Sequence, residues 1–323
     1  MIPVDTYSGQ PVAVMGLGRS GIAAALALGA GDAHVWGWDD GEDARDAARQ
    51  SGVPLVDLYQ GNLSEAAALI LSPGIPHLHP EPHPLALKAR DAGCEIICDI
   101  ELLARTNRDA AYICITGTNG KSTTTALVGH IMTGAGRRVE MGGNLGVPAL
   151  DLEVLGAGDS YLLELSSYQL ELSPGLQCDI AVLLNITPDH LDRHGGWEGY
   201  VAAKKCIFDG CGTSASAIIG IDGEACREIQ ESLSAQNKFR VIPISANGHA
   251  PGGVYVLDGH LIDDMDNGQV RVLDLSGIGT LPGTHNWENA CAAYAAARSA
   301  GLEPDEISRG LKTYPGLAHR QEL

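Results

Sequence analysis

The segment Thr116-Gly-Thr-Asn-Gly-Lys-Ser-Thr123 limits the possible folds of this chain more than any other part of the sequence. It follows an apolar, β-rich run at 111–115 and precedes residues 121–135, which favour a helix. A strand, a glycine turn and a helix start form a loop that holds nucleotide phosphates, because backbone N–H groups and the helix dipole face the negative charge. The sequence therefore predicts a P-loop-type α/β domain with a triphosphate site, and an ordinary surface turn is the alternative.

Each residue type in this loop suits a particular contact with a triphosphate. Gly117 and Gly120 let the backbone approach the phosphates closely. Lys121 can reach the terminal phosphates, and Ser122 can ligate Mg²⁺. Only two residues separate the two glycines, whereas four do so in the common form of the loop. The loop residues predicted to bind the triphosphate are Gly117, Thr118, Asn119, Gly120, Lys121, Ser122 and Thr123.

Alternating strand and helix signals predict an α/β protein of two domains, which also suits the length of 323 residues. Residues 1–98 are predicted to form a Rossmann-like parallel sheet with strands at 11–15, 33–38, 67–71 and 95–98 and a helix at 22–30. Residues 99–313 are predicted to form a second, nucleotide-binding domain, with strands at 111–115, 160–165, 179–184, 216–220 and 240–244 and helices at 121–135, 197–208, 223–234, 286–300 and 304–312. Between 253 and 274, short apolar runs separated by Asp-Gly and Asn-Gly predict a small antiparallel β appendage.

Charge and composition argue against several classes of partner. With 21 basic and 40 acidic side chains the net charge is −19, which repels nucleic acids and anionic membranes. The eight cysteines are scattered without a CxxC pair, and we interpret them as small buried residues in a reducing compartment. No apolar run reaches the ~18 residues of a membrane span, and the N-terminus lacks a signal pattern. We therefore expect a cytoplasmic protein that does not insert into membranes.

A second glycine pattern, Gly16-x-Gly18-x-x-Gly21, lies between the first predicted strand and helix. Asp39 follows 23 residues after Gly16, the spacing of a dinucleotide-binding fingerprint, and could accept a hydrogen bond from a ribose or a base edge. The pattern alone indicates either a turn that binds phosphate or a tight turn without a ligand, and it does not identify NAD.

Polar residues also follow two later strands. Glu164 ends one of them, where a Mg²⁺ ligand is expected beside a phosphate loop, while Glu171 reads as an ordinary surface acid. His190 follows another strand and could be a metal ligand, a base or a core histidine. Asp189 and Asp192 could orient it.

Three further features have simple structural explanations. Lys204 lies on a predicted helix, where lysines are usually solvated. Asn286 and Asn289 share one face at a helix start and could either read an adenine edge or cap the helix. The three histidines at 77–83 lie among prolines and are interpreted as part of a solvated loop.

Together these motifs resemble the Mur ligases, the ATP-dependent amino-acid ligases of peptidoglycan precursor synthesis. The matching segments are 72–75, 99–103, 116–123, 142–146, 164–171, 187–194 and 200–204. The resemblance runs in order from about residue 11 to 320. The segment 164–171 favours the branch that adds D-glutamate to UDP-N-acetylmuramoyl-L-alanine. Another Mur ligase or a folylpolyglutamate synthase-like enzyme is the alternative, and an NAD-dependent oxidoreductase or a non-catalytic nucleotide-binding module remains as a rival class.

The resemblance implies roles for individual residues. The UDP-substrate, rather than NAD, is expected to contact Gly18, Arg19, Ser20, Asp39, Ser72, Asn144 and His190. Arg19 departs from the family pattern and could add a phosphate contact. Two Mg²⁺ ions are expected on Ser122, Glu164, His190 and Lys204. Lys204 is expected to be carbamylated, which replaces its interpretation as a solvated lysine. The residues expected to be catalytic are Lys121, His190 and Lys204.

The resemblance also concerns ATP and the end of the chain. Asn286 and Asn289 match residues near the adenine, and Arg320 matches a linker arginine that contacts ATP phosphates. In the family a third domain after this linker supplies the amino-acid site, whereas residues 314–323 here are only the start of such a linker. We therefore expect these 323 residues to fold as a monomer and to bind the UDP-substrate, but not to ligate D-glutamate alone.

Overall fold

Two sheets of mainly parallel strands form the frame of the protein. A computed structural model of the chain describes residues 1–144, 146–266 and 268–316. The first sheet has the order β2-β1-β3-β4 with all neighbours parallel. Its strands are β1 (Pro11–Met15), β2 (His34–Trp38), β3 (Ala68–Leu71) and β4 (Glu95–Ile97). The helices of this part are α1 (Arg19–Ala30), α2 (Glu42–Gln50), α3 (Pro84–Asp91) and α4 (Asp99–Thr106). The predicted Rossmann-like sheet is confirmed, with strand ends within one residue of the prediction.

The second sheet is larger and carries the P-loop. Its strands are β5 (Ala111–Thr116), β6 (Val139–Gly143), β7 (Ser160–Glu164), β8 (Ile180–Leu183), β9 (Ser216–Gly220), β10 (Arg240–Ser245), β11 (Val254–Leu257), β12 (His260–Asp263) and β13 (Val270–Asp274). The strand order is β13-β12-β11-β10-β9-β8-β5-β7-β6. The helices are α5 (Lys121–Gly134), α6 (Ser167–Glu171), α7 (Trp197–Lys205), α8 (Glu224–Gln236), α9 (Thr284–Ser299) and α10 (Pro304–Thr313).

The predicted β appendage continues the edge of this sheet. From β6 to β11 neighbouring strands are parallel, and β11, β12 and β13 are then antiparallel. Asp258 and Gly259 connect β11 to β12 with positive φ at both residues, as a two-residue hairpin turn requires. Asn267, of the other predicted turn, lies outside the described residues. β6 was not predicted, because this edge strand is only partly buried and ends in two glycines.

Apolar side chains cover both faces of the second sheet. One face packs on α5, α9 and α10, and residues 290–297 of the alanine-rich α9 are buried without interruption. The other face belongs to one apolar cluster that continues through α4 to the first sheet. The predicted division at residues 98 and 99 lies between β4 of the first sheet and β5 of the second, and it remains a prediction.

Two simpler expectations can be compared with the structure. All eight cysteines are free thiols, seven of them buried, which confirms their interpretation as small buried residues. Within the described ranges, no helix is both long enough and apolar enough to cross a membrane.

Two glycines of α1 test how tightly this helix packs on the first glycine loop. A Cβ at Gly21 would lie 1.8 Å from the Gly16 carbonyl oxygen, whereas a Cβ at the exposed Gly29 meets nothing within 4 Å. We expect Gly21→Ala to lower the free energy of unfolding by about 1–3 kcal/mol through overpacking. Gly29→Ala should raise it by about 0.5–1 kcal/mol through helix propensity. Urea unfolding measures both, and equal effects of the two variants would contradict the close approach.

Candidate functional site

The site is formed where neighbouring strands of the second sheet end. β8, β5 and β7 are adjacent and parallel, so their carboxyl ends lie at one edge. The segment after β5 is the glycine loop at 117–120, β7 ends at Glu164, and the segment after β8 runs from Asn185 to His190. In parallel α/β sheets this edge is where ligands bind. The motifs identified from the sequence are therefore brought together by the strand order.

The glycine loop has the backbone geometry that its sequence predicts. Gly120 has a φ of +84° and ends the loop directly before α5. A Cβ at Gly120 would lie 2.2 Å from the Asn289 side-chain oxygen, so both the backbone angle and the packing require glycine. Lys121 then begins a helix of 14 residues, whose first N–H groups lack i−4 partners within the helix and suit an anion.

Two lysines share one carbonyl oxygen of this loop. Lys121 Nζ donates to the oxygens of Gly117 at 2.8 Å and Thr118 at 3.0 Å. Lys204 Nζ donates to the same Gly117 oxygen at 2.8 Å. Lys204 is only 2% exposed, although it lies on a helix, and its ammonium lies 4.8 Å from the centre of the Tyr200 ring. Burial and the nearby Lys121 charge lower the pKa of Lys204 to about 7.

Asn185 also holds the loop. Its backbone oxygen accepts from Thr118 N at 2.9 Å, and its Oδ1 accepts from Asn119 N at 2.9 Å. Its Nδ2 donates to Glu288 Oε2 at 3.0 Å, so the carboxyl fixes the orientation of the amide. Burial raises the pKa of Glu288 to about 7. Neither residue was assigned a role from the sequence, although Asn185 directly follows the β8 region and Glu288 lies between the two asparagines of α9.

Glu164 is a buried carboxylate at the end of β7, with 2% of its surface exposed. Its Oε1 accepts from Asn144 Nδ2 at 3.0 Å, and its backbone oxygen accepts from Asn144 N at 2.8 Å. Among the described residues, no cluster of three or more His, Cys, Asp or Glu could hold a metal ion. One carboxylate with the Ser122 hydroxyl suits Mg²⁺, which takes few protein ligands and fills its shell with phosphate oxygens and water.

His190 lies in the segment after β8 with a φ of +49°. Its Nε2 lies 3.5 Å from Asp189 Oδ2, and its ring centroid lies 5.4 Å from that of Tyr168. The side chain is 53% exposed, so it is not a core histidine. It is accessible to a ligand at the same strand edge as the loop.

No role was assigned to His194 from the sequence, although it ends the segment 187–194, and its side chain is buried. Its Nε2 is 2.9 Å from Ser167 Oγ, and its Nδ1 is 3.1 Å from Glu171 Oε1. The interpretation of Glu171 as an ordinary acid was wrong, because its carboxylate pairs with a buried imidazole. Ser167 and Glu171 are four residues apart on one helix face, a spacing that could have suggested a shared partner.

The first glycine loop is held by the side chains that the sequence pattern singled out. Asp39 accepts from Leu17 N at 2.7 Å and from Gly41 N at 2.8 Å. Ser72 Oγ donates to the Gly16 oxygen at 2.9 Å. These contacts give Asp39 and Ser72 a role in loop geometry, whether or not they also touch a ligand.

Three more predicted residues, Gly18, Arg19 and Ser20, lie at the start of α1. Gly18 is the residue before α1, and Arg19 and Ser20 open the helix. The Arg19 guanidinium donates to the Gly146 oxygen, which belongs to the segment after β6. Arg19 therefore connects the first glycine loop to the second sheet.

Asn286 and Asn289 are both buried at the start of α9. Asn289 Oδ1 accepts from Thr124 Oγ1 at 3.2 Å, and Asn286 Nδ2 donates to the Pro282 oxygen at 2.7 Å. The Thr124–Asn289 bond joins α5 to α9, and the Asn286–Pro282 bond holds the start of α9. The predicted contact of Arg320 with ATP lies outside the described residues.

The loop of three histidines differs from its prediction most clearly at His83. His83 is half-buried, bonds Asp40 at 3.0 Å and accepts from Leu85 N at the start of α3. The interpretation as a solvated loop was therefore wrong for His83, which caps a helix.

Comparison with known proteins agrees with this geometry. Residues 115–297 match the sequence family described as the Mur ligase middle domain. One relative is the UDP-N-acetylmuramoylalanine--D-glutamate ligase of Paramagnetospirillum magneticum, which is 51% identical to this chain. The match covers the full length of this chain and 70% of the relative. The protein of the same name from Rhodospirillum rubrum is 50% identical to this chain. That match covers the full length of this chain and 69% of the relative.

Solved structures show the same fold at low sequence identity. One is the UDP-N-acetylmuramate:L-alanyl-gamma-D-glutamyl-meso-diaminopimelate ligase from Neisseria meningitides, with a TM-score of 0.62, 17% identity and coverage of 95% of this chain and 99% of that one. Another is a murein peptide ligase from Psychrobacter arcticus, with a TM-score of 0.60, 16% identity and coverage of 98% and 70%.

The half-buried Glu288 predicts an unusual dependence of stability on pH. Its pKa is raised from an ordinary 4.5 to about 7, so the folded state binds more protons than the unfolded state between these values. Stability is therefore lost as the pH rises through this window. Glu288→Gln keeps an acceptor for Asn185 and removes the buried charge. We expect the variant to gain about 1–3 kcal/mol over the parent between pH 5 and pH 8.

Urea unfolding at a series of pH values measures this gain. Glu228→Gln, at an exposed position of α8, is the control for the loss of one negative charge from an acidic protein. A Glu288→Gln difference that matches the control at every pH would show that the Glu288 carboxyl is not buried as described.

Proposed function

The chain belongs to the Mur ligase family, whose members are ATP-dependent peptide ligases, and we propose that it serves the addition of D-glutamate to UDP-N-acetylmuramoyl-L-alanine. This places it in peptidoglycan precursor synthesis. The observation that carries the proposal is the 50–51% identity, over the full length of the chain, to ligases named for this reaction. The arrangement of Lys121, Lys204 and Glu164 around one glycine loop supports it with the chemistry that the reaction needs.

The reaction has two steps. The carboxylate of the muramoyl-L-alanine attacks the γ-phosphorus of ATP, a new O–P bond forms, and the bond to the β-phosphate oxygen breaks with release of ADP. The amine of D-glutamate then attacks the carbonyl carbon of the acyl phosphate, and inorganic phosphate leaves with loss of a proton from the amine. The main obstacle in the first step is repulsion between a carboxylate and a triphosphate. Lys121 and the N–H groups of the loop offset this repulsion in a fixed geometry.

Mg²⁺, when bound, neutralises part of the phosphate charge and aligns the phosphate oxygens. Glu164 and Ser122 are the residues that would hold one ion, since the buried carboxylate and the first turn of α5 lie at the same strand edge. His190 and Lys204 would hold a second ion. As a cation, Lys204 cannot ligate a metal, so this second site depends on a chemical change at its Nζ.

We assign that change to carbamylation. The neutral Nζ attacks CO₂, an N–C bond forms and a proton is released, which leaves a carbamate anion. The burial of Lys204 beside Lys121 disfavours its ammonium form, and a pKa of about 7 leaves a reactive fraction of neutral amine at neutral pH. The product would replace repulsion between two cations by attraction between Lys121 and an anion.

The remaining contacts follow the two substrates. The UDP part would lie at the first glycine loop, with Gly18, Ser20 and the additional Arg19 at the start of α1, where helix N–H groups favour a diphosphate. Asp39 and Ser72 would shape this loop, and Asn144 and His190 would face the muramoyl-L-alanine end. Asn286 and Asn289 would lie near the adenine, and Arg320 near the ATP phosphates.

Phosphate release by the complete gene product tests the proposed reaction. We expect release to require ATP, UDP-N-acetylmuramoyl-L-alanine and D-glutamate together. L-glutamate, or a UDP-substrate without L-alanine, should support little release. Titration with NADH is expected to show no binding. A preference for a different amino acid or a different UDP-substrate would assign the protein to another branch of the family.

Lys204→Ala tests the metal-binding role. We expect turnover to fall by roughly 10–100-fold, the range typical for loss of a group that supports a metal site. Added acetate or propionate should restore part of the activity by occupying the space of the missing carbamate. Lys205→Ala, at the next position of α7, is the matched control and should remain close to the parent. Near-normal turnover of Lys204→Ala would refute the role.

A further inference from the structure

His194 forms a buried centre between two groups of site residues. Its side chain is fully shielded from solvent, and both ring nitrogens have partners, Ser167 Oγ at 2.9 Å and Glu171 Oε1 at 3.1 Å. A carboxylate on one imidazole nitrogen fixes the orientation of the ring and favours one placement of its proton. The proposed reaction, as described above, uses none of these three residues.

One face of the His194 ring packs toward His190, on the side where the UDP-substrate is proposed to bind. The ring stacks on Tyr168, with centroids 5.2 Å apart and an interplanar angle of 13°. Tyr168 also contacts His190, at a centroid distance of 5.4 Å, and the Arg193 guanidinium, at 4.6 Å from its ring centre. Arg193 donates to the Gly74 oxygen at 2.9 Å, in the loop that follows β3 of the first sheet. This arm therefore reaches both His190 and the loop of Ser72.

The other side of His194 leads to the ATP loop. Its ring lies 5.4 Å from that of Tyr200. The Tyr200 hydroxyl is 3.0 Å from Thr118 Oγ1, and the Lys204 ammonium lies 4.8 Å from the Tyr200 ring centre. A rotation of the imidazole would thus disturb contacts of the phosphate loop and of Lys204 as well as those of Tyr168.

We propose that His194, held by Ser167 and Glu171, is a positioning residue. It fixes the position of the Tyr168–His190 arm relative to the Tyr200–Thr118 arm. The inference rests on the proposed ligase function, which it deepens by one residue. The physical reason is that a buried imidazole with two satisfied nitrogens has one low-energy orientation, and each tyrosine packs against that orientation. A chain of packed, hydrogen-bonded groups places the carboxylate side and the phosphate side relative to each other with little freedom.

Three variants separate the hydrogen bonds from the ring itself. His194→Phe keeps an aromatic ring between the two tyrosines and removes both bonds. Glu171→Leu removes the carboxylate partner, and Glu171→Gln keeps an oxygen that accepts from Nδ1–H. Glu198→Gln, at an exposed position of α7, is the control for the loss of one acidic side chain.

Steady-state kinetics on the complete gene product is the main readout. We expect His194→Phe and Glu171→Leu to raise KM for both ATP and the UDP-substrate. They should lower kcat/KM by roughly 10–100-fold, the range typical for loss of a group that orients a residue in contact with a ligand. Glu171→Gln should recover to within about threefold of the parent, since it keeps the acceptor. Reduced melting temperature with unchanged kcat and KM in both disruptive variants would show a purely structural role and overturn the proposal.

A second measurement does not depend on ligase activity. In ¹H–¹⁵N spectra of histidine-labelled protein, the His194 N–H bonded to Glu171 should give a slowly exchanging downfield resonance. It should be absent in His194→Phe, lost or fast-exchanging in Glu171→Leu, and retained in Glu171→Gln. If the parent lacks this resonance, the positioning proposal fails whatever the enzyme catalyses. If the resonance follows this pattern but D-glutamate is not a substrate, the proposed reaction fails and binding titrations with ATP and the UDP-substrate replace kinetics as the test of positioning.

Discussion

The site depends on the hydrogen bonds that two lysines donate to the Gly117 carbonyl oxygen. Lys121 and Lys204 each approach it to 2.8 Å, which brings two ammonium groups together at a largely buried position. Like charges at this separation repel each other, and burial weakens the screening by water. The arrangement is stabilised when an anion joins it or when one amine loses its proton. A triphosphate would supply such an anion, and burial beside Lys121 lowers the pKa of Lys204 to about 7, which favours loss of its proton.

Much of the fold could be predicted because its signals are local. The two glycine loops, the apolar strands and the alanine-rich helices each occupy one continuous stretch, so β1 to β4 and the Thr116–Thr123 loop were located to within a residue or so. The parallel order of β7, β5 and β8 then brings Glu164 and His190 to the loop. Sequence patterns of this kind specify which element a residue belongs to, and the rules for parallel sheets specify which edge it reaches.

The parts that could not be predicted depend on partners distant in the sequence. Ser167 and Glu171 lie in the segment 164–171 and His194 in the segment 187–194, but neither segment shows that the three side chains meet, since His194 is 27 residues from Ser167 and 23 from Glu171. The burial of Lys204 was expected only through the family resemblance, because a lysine on a helix has no local feature that distinguishes an inward from an outward position. Glu288 was also not predicted, because its raised pKa comes from burial against residues that are distant in the sequence.

In this acidic protein, the cations near the site have a common electrostatic role. A net charge of −19 repels both ATP and a UDP-linked carboxylate at long range, so binding must rely on cations and N–H groups concentrated at one edge. Lys121 lies at that edge, Arg19 reaches the segment after β6, and Arg193 reaches the loop after β3. Each of the three donates a hydrogen bond to a backbone carbonyl oxygen. A carbonyl orients a cation without neutralising it, and this allows an acidic surface to surround a locally positive site.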